Sequence, residues 1–180
     1  CVWMALDGGN ILELRKGRKC SMGKGRNDTT TYKEKNRNRR RAVQKYLDKL
    51  DDVTFIGVHD GKLGYFYEYH FDEIDEILND ITFSNVKCVE IPLIRTDIYG
   101  DKDQVIYSLN EVRLENPFHT LVSEVYINED KLETFRGNGL CISSAFGSSA
   151  YNKSLGGSVI ASDIEIMQLT EVAPINNRIY

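Results

Sequence analysis

Beyond Phe83 the sequence turns into a series of short β-prone runs separated by turn residues, and this constrains the fold more than any other feature. The runs lie near 86–98, 104–115, 121–128, 131–136 and 139–144. A hairpin turn is expected at Asn128-Glu129-Asp130, with further turns at Tyr99-Gly100 and Asn116-Pro117. Strands in series need partners within their own segment, which argues for an antiparallel sheet or sandwich. The region 83–180 is therefore expected to form an incomplete antiparallel β-sandwich.

Upstream the period differs. In AVQKYLDKL, Val43, Tyr46, Leu47 and Leu50 fall at helical spacing, and Asp51-Asp52 break the pattern before the strand-like VTFIGV of 53–58. After the turn His59-Asp60-Gly61-Lys62-Leu63-Gly64, a second helix places Phe71, Ile74, Ile77, Leu78 and Ile81 on one face. Asp72, Glu73, Asp75, Glu76 and Asp80 occupy the other, an expected solvated face. A helix feeding a buried strand is the unit of a parallel sheet, so 42–82 reads as the remnant of an α/β, Rossmann-like domain.

Charge separates a third segment. Residues 1–50 carry 14 Lys+Arg against 5 Asp+Glu, a formal +9, and residues 51–180 carry 9 against 22, a formal −13, which together give the net −4. Residues 15–41 are nearly devoid of apolar side chains, and 1–41 as a whole is expected to be a disordered or unrelated basic segment. Its run KNRNRRR, Lys35 to Arg41, attracts phosphates. It comes without the interleaved aromatics or reader motif of a nucleic-acid-binding domain.

Cys1, Cys20, Cys88 and Cys141 are widely spaced, without a CxxC pair, and are expected as free thiols in a reducing compartment. VWMAL at 2–6 is too short for a signal peptide's apolar region, and no run reaches the ~18–20 apolar residues of a membrane helix. A cytoplasmic protein is the expectation; the start at Cys1 suggests a piece of a longer chain.

Three segments carry candidate chemistry. In FRGNGLCISSAFGSSAYNKSLGG, 135–157, a strand runs into a turn at Gly147; Ser148 or Ser149 is placed to cap a short helix ending at Gly156-Gly157. Small residues at such a joint leave backbone N–H groups open to a polar ligand, although the same pattern serves as an ordinary strand-turn-helix joint. Asn110-Glu111 offers an amide that donates and accepts and a carboxylate that accepts from hydroxyls, a set suited to an adenine edge and a ribose diol. Gly61-Lys62-Leu63-Gly64-Tyr65-Phe66 follows a strand, where α/β folds place ligands. A nucleophilic Ser148 or Ser149 would need a base, and His59, His70 and His119 come with no partner motif.

In order and spacing these segments resemble the bacterial NAD kinases. FIGVHDGKLGYF is similar to their strand, glycine-bearing turn and aromatic. SLNEV resembles their Asn-Glu motif, FRGNGL their Arg-Gly-Asp-Gly segment, GSSAYNKSLGG their Gly-Ser/Thr-Thr-Ala-Tyr loop, and IMQLTEVAPINNRIY the strand that follows it. The resemblance covers roughly 42–180. It implies an ATP-dependent transfer of phosphate to the 2′-hydroxyl of the adenosine ribose of NAD, giving NADP, with a divalent metal such as Mg²⁺. It also implies a homodimer or homotetramer.

By that resemblance Asn110 and Glu111 hold the adenosine, and Ser149, Ala150, Tyr151 and Ser154 line the same pocket. Arg136, Asn138 and Ala173 contact nucleotide partly across a subunit interface, and Tyr65 is the aromatic after the turn. No catalytic residue is assigned. Where the family has the Gly-Gly-Asp-Gly-Thr cradle for ATP phosphates and the catalytic Asp, this chain has Lys35-Asn36-Arg37-Asn38-Arg39-Arg40, and Asn138 replaces the Asp of Gly-Asp-Gly. Family members also continue beyond the position of Tyr180. A catalytically inactive dinucleotide-binding fragment is the alternative that these departures raise.

Overall fold

The computed structural model describes residues 2–6, 11–24, 54–56, 58–59, 69–83 and 87–175. The chain divides into two compact units, one of Cys1–Arg18 with Pro92–Tyr180 and one of Lys19–Ile91.

The first unit contains strands of two mainly antiparallel sheets. In chain order its strands are β1 (Val2–Leu6), β2 (Ile11–Lys24, which continues into the second unit), β6 (Lys87–Tyr99, which enters from it), β7 (Gln104–Ser108), β8 (Glu111–Glu115), β9 (Leu121–Ile127), β10 (Asp130–Gly137), β11 (Gly139–Ser144) and β12 (Met167–Val172). One sheet has the order β10-β9-β1-β2-β6-β7 and the other β12-β11-β8. The β9–β10 hairpin turns at Asn128, whose φ of 56° lies in the left-handed region that Asn tolerates.

The core forms where the two sheets meet: Ile94, Val125, Phe135, Leu140 and Ile142 are buried, with Val112, Leu114, Leu121, Leu132, Met167 and Leu169 packed around them. Each such side chain contributes roughly 1.5–3 kcal/mol on burial. The expected sandwich is thus present as two antiparallel sheets around one apolar layer.

The run 104–115 is not one strand, as the sequence suggested, but two. β7 pairs with β6, Ile94 opposite Ser108, and β8 pairs with β11, Leu114 opposite Leu140. Between them Leu109 and Asn110 are buried. Their carbonyls are held by Ser144, which breaks the run and sends the chain from one sheet to the other.

In the second unit, β3 (Thr54–Phe55) pairs in parallel with β2, and β4 (Val58–His59) pairs in parallel with β5 (Tyr69–His70). A 3₁₀ turn, Phe71–Glu73, leads into α1 (Ile74–Thr82), and the Glu73 carboxylate accepts the His70 backbone N–H. The strand read at 53–58 is therefore two short pieces. The helix expected over 42–50 lies outside the described residues. Two-residue parallel pairs alone do not make a doubly wound sheet.

Two further expectations change. Residues 2–6 and 11–24 are strands, where a loose basic segment was expected, because β1 finds partners in both β2 and β9; residues 25–41 lie outside the described ones. On α1 the acidic Asp80, assigned to solvent, is 3% exposed and accepts a hydrogen bond from the Tyr69 hydroxyl at 3.0 Å. Ile74, Leu78 and Ile81 are exposed. No described helix is long and apolar enough to cross a membrane.

Candidate nucleotide site

Side chains alternate along a strand, so the β8-β11-β12 sheet has two unlike faces. Val112, Leu114, Leu140, Ile142, Met167 and Leu169 point into the core. The alternate positions put Glu111, Arg113 and Glu115 of β8, Cys141 and Ser143 of β11, and Gln168 and Thr170 of β12 on the opposite face. The segment after β11 folds back over this polar face, and the candidate site is built there.

Gly147 begins the fold-back. A Cβ at this position would collide with the backbone of Asn110, so only glycine lets the two turns touch. Ser144 joins them: its N–H donates to the Asn110 carbonyl at 2.9 Å, its hydroxyl donates to the Leu109 carbonyl at 2.7 Å, and the same oxygen accepts the Gly147 N–H at 3.1 Å. Asn110 is 4% exposed and Glu111, the first residue of β8, is half-buried. The structure thus brings Asn110 and Glu111 against the turn that carries Ser149, Ala150 and Tyr151.

Residues Ser148–Asn152 form one wide helical turn, interrupted at Ala150, whose ψ of −127° is not helical. The cap position is Gly147, with no side-chain cap hydrogen bond, where the sequence suggested Ser148 or Ser149. The Ser148 hydroxyl instead accepts the Ile160 N–H at 2.9 Å and donates to the Ile160 carbonyl, closing a loop of the chain. Asn152, wholly buried, ties this loop to the sheet. Its amide nitrogen donates to Gln168 Oε1 at 2.6 Å and to the Ser148 and Ser158 carbonyls, and its oxygen accepts the Thr170 hydroxyl at 2.6 Å. A buried amide with every group partnered holds one geometry, since a slipped loop would strand its donors. Gly156, at φ +89°, ends the turn as expected, and Ser154 is exposed beside it.

The Arg113 guanidinium lies 4.6 Å from the centroid of the Tyr151 ring. A hydrogen bond to Glu115, and then partial burial, hold the Tyr151 phenol above its ordinary pKa. Below the loop, Cys141 is a free, fully buried thiol. Burial first, and then the charges of Glu111 and Glu115, push its pKa to about 12, which leaves it unreactive near neutral pH.

Arg136, Asn138 and Ala173 gather elsewhere. Backbone hydrogen bonds from Ile175 N to the Arg136 carbonyl at 2.7 Å and from Asn138 N to the Val172 carbonyl at 2.9 Å bind β10 and the start of β11 to the end of β12. The interleaved glycines are spatial requirements: a Cβ at Gly137 would stand 2.8 Å from the Ala173 carbonyl oxygen, and one at Gly139 would strike the Leu114 carbonyl. Arg136, Asn138 and Ala173 are all exposed, and Ala173 has φ +46°. This group sits at the opposite end of β11 from Asn110, about 17 Å away at ~3.3 Å per strand residue. The expected site residues therefore form two groups, while Tyr65 lies outside the described residues.

Ser144, Asn152, Arg113 and Glu115 were not singled out from sequence. For Ser144 and Asn152 the only local signal was a small polar residue within a glycine-punctuated run. Among the described residues no group of three or more His, Cys, Asp or Glu stands together, so none is assigned as a metal ligand set.

Residues 109–179 match the ATP-NAD kinase C-terminal domain family, so the matched segment opens at the buried Leu109-Asn110 turn. The chain is 43% identical over 142 residues to an NAD kinase of Latilactobacillus sakei, 40% to NAD kinase 1 of Bacillus cereus and 39% to NAD kinase 1 of Listeria monocytogenes, each alignment covering 77% of this chain. It covers 53–54% of those proteins, so the chain spans about half the length of the curated relatives it matches. Its fold is similar to that of yeast NADH kinase, solved as a complex with NADH, with a TM-score of 0.64 at 20% identity over 70% of this chain and 38% of that one. Ordered motifs, two antiparallel sheets and close relatives together make this chain a partial match to the NAD kinase family, carrying its C-terminal domain over residues 109–179.

Proposed function

We propose that this chain carries the dinucleotide-holding part of an NAD kinase, an enzyme that uses ATP to phosphorylate the 2′-hydroxyl of the adenosine ribose of NAD and so makes NADP. The observation that carries this reading is the joint between the Asn110 turn and the Gly147 turn. It joins the buried Asn110 turn, and with it Glu111 at the start of β8, to the small-residue loop that carries Tyr151. Asn110 and Glu111 would meet the adenosine, the carboxylate accepting from ribose hydroxyls. Ser149, Ala150, Tyr151 and Ser154 would line the same pocket.

Arg136, Asn138 and Ala173, exposed at the far end of β11, would serve the nucleotide of a neighbouring copy in a homodimer or homotetramer. Residues 42–82, with Tyr65, would belong to the α/β part that completes the cleft, and 1–41 would lie outside the family's homologous region. Among the described residues no group of three or more His, Cys, Asp or Glu stands together, and the divalent metal would arrive with the ATP phosphates. A cytoplasmic location fits the reading.

Binding and turnover separate in this chain. Phosphoryl transfer depends on backbone N–H groups converging on the phosphates and on an acid that orients the attacking hydroxyl. The segment Lys35–Arg40, at the place of the cradle, offers neither glycine nor acid. The reading that follows is a dinucleotide-binding chain without kinase turnover. Calorimetric titration of the 180-residue protein with NAD tests it: saturable binding is expected, weakened about 5–150-fold in Glu111→Ala, the equivalent of about 1–3 kcal/mol. A parent protein that produces no binding heat overturns the site.

A further inference from the structure

The polar face of the sheet holds one arrangement that the nucleotide reading does not require. Arg113 and Glu115 stand two residues apart on β8, and therefore on the same side of the strand. Both reach Tyr151: the guanidinium covers the ring at 4.6 Å, and the carboxylate takes the phenol's hydrogen bond. Arg113 Nη1 and Glu115 Oε2 are 3.8 Å apart, which closes a triangle of cation, anion and phenol. Tyr151 itself rides on the turn whose backbone departs from helical geometry one residue earlier, at Ala150. Its backbone alone does not fix where the ring points.

We infer that Arg113 and Glu115 are positioning residues for Tyr151: they clamp its ring against β8 so that one face is covered by the guanidinium and the other is left for a nucleobase. The inference rests on the reading of Tyr151 as part of the nucleotide pocket. Its physical content is separate. A ring with two free torsions loses rotamer freedom when a ligand packs on it, and a ring already held loses less. The clamp would thus act on affinity through pre-organisation, without Arg113 or Glu115 touching the ligand. The guanidinium meets both the π-face and the hydroxyl, whereas Glu115 meets the hydroxyl alone, and the two act on the phenol proton in opposite directions.

Two measurements on the full 180-residue protein test it. The first needs no ligand. Tyrosinate absorbance is followed with pH in the parent and in Glu115→Gln, with Tyr151→Phe subtracted to isolate the one phenol. Loss of the carboxylate acceptor should move the Tyr151 transition down, towards the ordinary tyrosine value; an unmoved transition overturns the clamp. The second is a double-mutant cycle with NAD as the titrant. Arg113→Met should weaken binding about 3–10-fold when Tyr151 is present and change nothing when Tyr151 is already Ala, because a positioning residue acts only through what it positions. Equal losses in the two backgrounds would mean that Arg113 meets the ligand or supports the fold directly, and would overturn the inference. If the phenol shift is seen but the parent fails to bind NAD, the pocket assignment is what fails.

Discussion

The two faces of the β8-β11-β12 sheet are made by alternate residues of the same three strands, yet they are held by different forces. Towards the core, Leu140, Ile142, Val112 and Leu169 are fixed by the shape and apolarity of their neighbours. Towards the loop, Arg113, Gln168 and Thr170 are fixed by named partners at 2.6–4.6 Å. An apolar face tolerates changes of similar volume and punishes cavities, whereas a polar face punishes any change that leaves one member of a pair alone. The same six-residue strand β11 therefore sets stability with one set of side chains and the geometry of the loop with the other.

The largest effect should come from the apolar face. Ile142→Ala removes a wholly buried side chain at the centre of the core and is expected to cost about 2–5 kcal/mol, read as a lowered urea midpoint with an unchanged slope. Next is Asn152→Ala, which leaves the Thr170 hydroxyl and Gln168 amide without their partner. It is expected to cost about 1–3 kcal/mol. If it costs nothing, the polar face is not held by its hydrogen bonds and the two faces do not differ in kind. Hydrogen exchange should also show faster opening around 148–160 in this variant, while β9 and β10 stay as protected as in the parent.

Gly147→Ala sharpens the comparison, because it adds volume instead of removing a bond. The new methyl group would enter the Asn110 backbone, so the Asn110 and Gly147 turns must part. A loss of about 1–3 kcal/mol is expected, together with weaker NAD binding. A variant of parental stability and affinity would show that the two turns are not locked.

The smallest effect tests a polar pair set within the apolar face. Glu171 and Glu133 share a hydrogen bond between carboxyl groups. Burial, more than any other influence, raises both above the usual carboxylate range. A raised folded-state value means that the folded form favours the proton, so stability is fully present at acid pH and declines as pH rises through the folded-state values. Glu171→Gln removes one of the two charges. It should melt with the parent in acid and at a slightly higher temperature near neutral pH. The opposite order at neutral pH would mean that the pair stabilises the folded chain as anions.

How far the sequence reached follows from the same contrast. Alternation along β9, β10 and β11 is local, and so are the turn residues Asn128 and Gly156, which is why the sandwich strands and their ends were legible. The break at Leu109-Asn110 was not, because the groups that cause it lie at Ser144, 34 or 35 residues on. Nor was the role of Ser148, whose hydroxyl is taken by Ile160, 12 residues away, instead of by its own helix. The acidic row of α1 misled for the same reason, since the buried Asp80 accepts a hydrogen bond from a phenol of β5, 11 residues away. The candidate site showed as motifs, but its division into two groups at opposite ends of β11 depends on strand pairing that no single segment states.

The crowding around Gly139 bears on how the protein ages. Asn138-Gly139 is the dipeptide most prone to lose ammonia, because a glycine N–H is unhindered when it attacks the preceding side-chain amide to form a succinimide. That attack needs the backbone between the two residues to rotate. Here Gly139 is paired on both sides, with Glu115 and Val172, and has no space for even a methyl group. Folded protein should therefore keep Asn138 as an amide, while unfolded chain gains negative charge there on standing, a difference that isoelectric focusing and peptide mapping would resolve. Intact Asn138 then becomes a chemical record of how continuously the β8-β11-β12 sheet has stayed closed.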